Sequence, residues 1–205
     1  MTLETPIENL HMIGQSYKKR LKGLSIETVE DLLYHFPFRY IDYSLVSPIG
    51  RLQAGEIVSI RGQVISIKNE YTHHGKKIQK AVIADASGEI AVVWFNQPFL
   101  VKIIIPGQTI ALSGKVDWFG RQLVLVSPEY EVLRGRMQDV KRETIHTGRL
   151  VPVYHETYGL SSKWLRSRIA PLVKIFVPGL KEFIPSQIIK KYNLVRFNQA
   201  LRHKQ

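Results

Sequence analysis

The feature that most constrains the fold is a series of short strand-like segments between residues 55 and 131. Apolar and polar residues alternate along them with a period of two, and turn residues separate them. Gly62 and Gly114 interrupt the first and fourth segments, where a closed barrel requires sharp bends. The predicted strands are 56–67, 78–85, 90–95, 108–116 and 121–133, with room for a short helix in 96–107.

Five strands with a short helix between the third and the fourth follow the order of an OB-fold barrel. An SH3-like barrel or an open sheet remains compatible with the same pattern. We predict an α+β protein in which a five-stranded OB-fold β-barrel has an N-terminal helical segment before it and C-terminal helices after it.

Helical patterns flank the strands on both sides. On the N-terminal side, Thr28 and Asp31 form a capping-box pattern that begins a helix, and Pro37 ends it. On the C-terminal side, a serine caps a helix over 161–176, which Pro171 is expected to kink or divide. The predicted domains are an N-terminal helical segment (1–48), the OB-fold domain (49–133), a linker with a short extended piece (134–160) and a C-terminal helical segment (161–205).

The charge balance favours a polyanionic partner. The chain contains 29 Lys and Arg against 17 Asp and Glu, a formal net charge of +12. Nucleic acid is the commonest target of such a field, and an anionic membrane is the second. No apolar run approaches the roughly 20 residues that span a bilayer, and we expect no signal peptide. The sequence has no cysteine, which excludes disulfides and thiolate chemistry and is compatible with the cytoplasm.

The motifs of common catalytic sites are missing from the sequence. There is no G-x-x-x-x-G-K-[ST] loop for nucleotide phosphates, no G-x-S-x-G elbow and no H-E-x-x-H metal pair. We therefore expect no catalytic residue, no metal ligand and no cofactor within these residues.

The sequence does contain candidates for residues that bind nucleic acid. OB-folds bind nucleic acid on strands two and three and on the loops between strands one and two and between strands four and five. In those loops, cations can hold phosphates, and aromatic rings can stack on bases at about 1–3 kcal/mol per base. The candidates in the predicted loop 69–77 and in the turn after 116 are Tyr71, Lys76, Lys77, Trp118, Phe119 and Arg121.

The stretch AVVWFNQPFL (91–100) contains further candidates. Strand alternation places Val93 and Phe95 on one face, and Val92 and Trp94 on the other. One of the two sets must face the core, and the period alone does not decide which set it is.

Three stretches together resemble the N-terminal region of the RecG family of bacterial ATP-dependent DNA helicases, which remodel stalled forks and branched junctions. They are VEDLLYHFPFRYIDYS (29–44), VVWFNQPFL (92–100) and RLVPVYHETYGLSSKWLRSRI (149–169). In that family the region contains a wedge domain, an OB-fold that separates strands at the junction. By this resemblance, Phe95 stacks on an unpaired base, Phe99 is a second stacking aromatic, and Trp94 matches a neighbouring aromatic position.

The resemblance also implies a biological setting: DNA repair and recombination at replication forks and Holliday junctions. It implies branched DNA as the partner, ATP and Mg in a helicase motor missing from these residues, and a monomer in the nucleoid-containing bacterial cytoplasm. The last residues, NQALRHKQ, end within a helical pattern, so we expect a fragment of a longer helicase. The alternatives are a free-standing OB-fold protein for single-stranded DNA or RNA, and a protein- or membrane-binding module that uses the basic C-terminal stretches.

Overall fold

The structure, a computed structural model, describes residues 1–11, 13–71, 75–133 and 145–204, the last two of these residues without their side chains. The chain forms two compact units. We call residues 1–41 with 152–205 the helical unit, and residues 42–151 the barrel unit. In chain order the elements are α1 Gln15–Lys22, α2 Val29–Leu33, β1 Arg39–Asp42, β2 Ile57–Tyr71, β3 Lys77–Asp85, β4 Gly88–Phe95, α3 Leu100–Ile103, β5 Thr109–Phe119, β6 Gln122–Leu133, β7 Leu150–Val153, α4 Ser162–Phe176, α5 Ser186–Lys191 and α6 Phe197–Lys204, with short 3-10 helices at Ile7–Asn9, Ile49–Arg51 and Val177–Gly179.

The barrel unit contains a closed five-stranded barrel in the order β2-β3-β4-β6-β5. β4 and β6 run parallel, and the other neighbouring pairs are antiparallel. The short helix α3 lies between β4 and β5 in sequence, as the OB-fold order requires. These features confirm the predicted five-stranded OB-fold barrel and exclude an open sheet.

Gly62, where the sequence predicts a bend in the first barrel strand, lies where β2 changes partner. β2 pairs with β5 from Ile57 to Gln63, and with β3 from Gln63 onward. A Cβ on Gly62 would lie 2.6 Å from the carbonyl oxygen of Ala84, so the close approach of β2 and β3 requires glycine here.

The loop predicted over 69–77 is shorter in the structure. β2 continues to Tyr71 and β3 begins at Lys77, and these two residues are directly paired. Polar residues of an exposed hairpin arm have no core to face, so the hydrophobic pattern did not reveal that the strands continue. Residues 72–74 of the predicted loop lie outside the described residues.

Two apolar clusters cover the two faces of the barrel sheet. The interior cluster includes Val92 and Trp94. A smaller exterior cluster contains Val93. Its other buried members are Ile78, Ala91 and Val124, with Phe119 and Val126 packed against them. β4 is therefore buried on both faces over most of its length, and its alternation alone could not identify the core face.

Residues 145–147 are hydrogen-bonded to β6. The Glu131 carboxylate accepts hydrogen bonds from the amides of Ile145 and His146 and from the hydroxyl of Thr147. His146 and Thr147 are buried. Residues 134–144 of the predicted linker lie outside the described residues.

Segments from both ends of the sequence share the core of the helical unit. Leu21 and Leu32 from the N-terminal part and Leu165 and Ile169 from the C-terminal part belong to one buried cluster. β1 and β7 form a two-stranded sheet. No helix in the described part of the chain has the length and apolar character needed to cross a membrane.

Local signals placed the helix starts correctly. Thr28 and Asp31 form a complete capping box at α2, and the Ser161 side chain accepts a hydrogen bond from the Trp164 amide at the start of α4. Of the two outcomes expected at Pro171, a kink or a division, division does not occur, because α4 continues as one helix through this residue. Loss of a single backbone hydrogen bond is tolerated where the rest of the helix is packed into a core.

Candidate nucleic-acid interface

Phe95 is the last residue of β4, at the point where the buried strand reaches the surface. Its side chain is 39% exposed. It lies on the side of β4 that carries Val93, and it pairs with Ile78 of β3. Val93 and Ile78 both belong to the exterior cluster. Its ring meets the ring of Phe119 edge-on, with 6.0 Å between the ring centroids. This packing orients Phe95 while part of the ring remains open to a ligand.

The strands β2 and β3 bring two further sequence-predicted residues, Tyr71 and Lys77, to this end of the barrel. Tyr71 pairs with Lys77, and the next residue, Ile78, pairs with Phe95. Tyr71 is 68% exposed and Lys77 is exposed. Successive side chains of a strand alternate, so Lys77 and Phe95 point to opposite sides of the sheet. The register thus places an aromatic and a cation on one side of the sheet and Phe95 on the other, one residue further along the strands.

Three more predicted residues lie where β5 meets β6: β5 continues beyond the turn predicted after residue 116, so Trp118 and Phe119 are its last residues, and Arg121 lies in the turn that follows. Trp118 is 61% exposed, Arg121 is exposed, and Phe119 is half-buried against Phe95. Lys115 donates to the Asp117 carboxylate at 2.6 Å, and the Trp118 amide donates to the same group. These hydrogen bonds, chiefly the one from Lys115, hold the pKa of Asp117 below its ordinary value. Asp117 is therefore a carboxylate at neutral pH, and it orients the backbone from which Trp118 projects.

Trp94 does not belong to the exposed surface. Its side chain is 1% exposed within the interior cluster, and its indole N–H donates to the Pro128 carbonyl at 3.0 Å. The adjacent aromatics therefore have different environments, since Trp94 fills the barrel and Phe95 reaches the surface. A ring enclosed in this way has no free face for a base.

Phe99 follows Phe95 across a tight turn. Asn96 has a φ of 55°, and its amide donates to the Lys77 carbonyl at 3.0 Å. Phe99 is 50% exposed, and the next residue, Leu100, is fully buried. The turn thus connects two exposed phenyl rings through a backbone that is hydrogen-bonded to β3.

Gln79 also belongs to this region, although it is not among the residues predicted from the sequence. It is fully buried on β3, where Nε2 donates to Asn69 Oδ1 at 2.9 Å and Oε1 accepts from the Gln97 amide at 2.7 Å. One side chain therefore connects the β2–β3 arm to the turn between Phe95 and Phe99. The sequence signal for Gln79 was its position on the same face of β3 as Ala81 and Ile83, which both belong to the interior cluster. A polar side chain on a buried face requires hydrogen-bond partners.

Gln79→Leu is expected to lower the free energy of unfolding by about 1–3 kcal/mol, because the Gln97 amide and Asn69 would lose their partner. Denaturant unfolding measures this loss. The matched control is Gln63→Leu, since Gln63 is an exposed glutamine of β2 that donates to the Gly107 carbonyl at 3.2 Å. Its loss should remain below about 0.5 kcal/mol. Equal losses in the two variants would contradict a bridging role for Gln79.

The remaining predicted residue, Lys76, is exposed and lies immediately before β3. The region therefore offers exposed aromatic surface beside Lys76, Lys77 and Arg121. In the described part of the chain, no cluster of three or more His, Asp or Glu could hold a metal ion. What this arrangement can do chemically is stack on planar groups and neutralise phosphates.

Comparisons with known proteins identify the family of this chain. The model of the family described as "RecG wedge domain" matches residues 6–175. Proteins named ATP-dependent DNA helicase RecG are similar over 97% of this chain, with 30% identity in Synechocystis sp. and 31% in Bacillus subtilis. The chain spans 25% and 28% of the lengths of these two relatives.

A solved structure of RecG bound to a three-way DNA junction is similar over the whole chain. The TM-score is 0.77 and the sequence identity is 27%. This chain corresponds to 27% of the length of that protein. The similarity extends over the barrel and the helices on both sides of it.

Proposed function

This chain belongs to the RecG wedge domain family, and from that premise we propose that it binds branched DNA as the strand-separating wedge region of an ATP-dependent DNA helicase. The observation that carries the proposal is Phe95, an exposed ring at the end of a strand that is otherwise buried on both faces. The helicase relatives and the three-way junction bound by the similar RecG structure support the same substrate class.

The proposed mechanism replaces stacking that the DNA loses at a branch point. An unpaired base at the junction stacks on Phe95, and Phe99 offers a second ring beyond the turn. Each such contact contributes about 1–3 kcal/mol, which lowers the local cost of separating a base pair. Trp94 is not part of this proposal, because its ring is enclosed in the barrel.

The cations and remaining aromatics around these rings would guide the arms of the junction. We assign Lys76, Lys77 and Arg121 to phosphates, and Tyr71 and Trp118 to exposed bases or sugars, with Phe119 supporting Phe95. Phosphate contacts and stacking carry little sequence information, so the binding should select DNA shape and not base sequence.

The wider setting belongs to the same proposal. Unwinding requires a motor that hydrolyses ATP with Mg, and we place that motor in residues of a longer protein outside these 205. We propose that the protein acts as a monomer on forks and Holliday junctions during repair and recombination, in the nucleoid of the bacterial cytoplasm.

A comparison of dissociation constants tests this function. The chain is titrated into a three-way junction, a linear duplex and a single strand, all with the same number of nucleotides and at one salt concentration. The proposal predicts the tightest binding for the junction. Equal affinity for junction and duplex would exclude a wedge function, and tightest binding to the single strand would favour a free-standing OB-fold protein.

A further inference from the structure

A second group of aromatic and cationic side chains lies in the helical unit, apart from the residues discussed above. The Tyr17 and Trp164 rings are stacked, with centroids 4.7 Å apart and planes inclined by 18°. The Arg20 guanidinium lies over Tyr17 at 5.6 Å and over Tyr158 at 5.9 Å, and Arg168 lies over Trp164 at 5.3 Å. We call these five residues the guanidinium–aromatic column.

Within the column, Arg20 is held in place by a backbone contact. Arg20 donates to the Gly159 carbonyl at 3.1 Å, in a turn closed by two hydrogen bonds between Thr157 and Leu160. Gly159 has a φ of 74°, and a Cβ there would collide with Arg20 Nη1. The positive φ therefore favours glycine in the turn, and a side chain there would displace the guanidinium from this position. A guanidinium oriented in this way loses little freedom when it binds an anion.

The charge around the column favours a polyanion. The residues of the helical unit, 1–41 and 152–205, include 15 Lys and Arg against 7 Asp and Glu, whereas residues 42–151 include 14 against 10. Neither α1 nor α4 contains an acidic residue. The helical unit therefore carries most of the net positive charge, although the barrel holds the exposed rings proposed to stack on bases.

The ring contacts indicate which part of a nucleic acid would bind. Tyr17 already contacts Trp164 and Arg20, and Trp164 already contacts Tyr17 and Arg168. These rings are engaged with each other and with the two arginines, so they are poorly suited to stacking on bases. A guanidinium presents its N–H donors in a planar fork, which matches the oxygens of a phosphate.

We propose that the guanidinium–aromatic column binds the phosphate backbone of a DNA duplex, through Arg20 and Arg168. This inference rests on the proposed function for its partner, since a branched DNA has duplex arms. Its expected effect differs from that of the wedge function, because the column should raise the affinity for every duplex, branched or linear. Phe95 and Phe99 should instead strengthen binding at the branch alone.

The test uses R20Q/R168Q, with K174Q/K190Q as the control that removes two exposed cations from the same unit. Affinity for a linear duplex and a three-way junction is measured between about 50 and 200 mM salt. Since each phosphate contact contributes about 0.9 to the slope of log affinity against log salt, R20Q/R168Q should make the slope shallower by about 1.8. Duplex affinity should fall about tenfold at the lowest salt, and the junction-to-duplex ratio should stay unchanged.

Other outcomes overturn the inference and can be separated from failure of the proposed function. If both double variants show the same slope and affinity, the column does not bind duplex, and an acidic protein surface becomes the better partner. If the wild-type chain binds junction and duplex with equal affinity, the wedge function is contradicted. The proposal for the column is then tested by duplex binding alone.

A second pair of variants covers the case in which R20Q/R168Q does not fold. Tyr158 is 91% exposed, so substitution there should leave the fold intact. Y158E places a negative charge beside Arg20, and Y158Q is its neutral control. At about 50 mM salt we expect duplex affinity to be at least about threefold weaker for Y158E than for Y158Q. Equal affinities of the two variants for the duplex would contradict the proposal.

Discussion

Phe95→Ala is expected to weaken binding of a three-way junction by about 5- to 140-fold, the range that corresponds to the loss of about 1–3 kcal/mol of stacking on one base. Affinity for a linear duplex should change by less than about twofold, because a duplex presents no unpaired base. Fluorescence anisotropy with labelled DNA of both shapes measures the two effects in parallel.

The fold should tolerate this change. Phe95 is 39% exposed, and its edge-on contact with Phe119 contributes about 0.5–1.5 kcal/mol. The control is Ile65→Ala, which removes an exposed apolar side chain of the same barrel that is 48% exposed. If Phe95→Ala unfolds the barrel, or weakens junction and duplex binding equally, Phe95 does not contact the branch.

Trp94→Ala is expected to have the opposite profile, with a loss of about 3–5 kcal/mol in the free energy of unfolding. The indole is fully enclosed in the interior cluster, and its removal leaves both a cavity and a Pro128 carbonyl without its donor. Because small domains are stable by only about 5–15 kcal/mol, this single change should bring the barrel close to unfolding. Urea denaturation monitored by circular dichroism measures the loss.

Trp94→Phe separates packing from hydrogen bonding. It retains an aromatic ring in the core but not the N–H that reaches Pro128, so it should recover more than half of the stability lost in Trp94→Ala. Its junction affinity should equal that of the wild type. A folded Trp94→Ala variant with weakened junction binding would instead show that Trp94 contributes directly to the interface.

The architecture was predictable because several independent signals agreed. Five alternating segments, a short interval before residue 108 with room for a helix, and Gly62 within the first strand follow the order of an OB-fold barrel, and the structure has that order. The capping residues Thr28 and Ser161 predicted where α2 and α4 begin, because their side chains accept hydrogen bonds from amides of the first helical turn. Such signals are short-range, so they can be read from a single sequence.

The candidate site was less accessible from the sequence because its geometry depends on long-range packing. Trp94 and Phe95 are adjacent and similar in chemistry, and their different burial arises from the end of β4 and from the exterior cluster beside it. Gln79 gains its role only when Asn69 and Gln97 approach it across two strands. The shared core of the helical unit likewise joins residues about 140 positions apart.

The most direct test of the central claim is the fluorescence of 2-aminopurine placed at the branch point of a three-way junction. Stacking of this base on Phe95 should quench its emission when the wild-type chain is added to saturation, and Phe95→Ala at saturation should quench it much less. The same base in the middle of an arm should respond equally weakly to both proteins. Equal quenching at the branch point by wild type and variant would contradict stacking on Phe95.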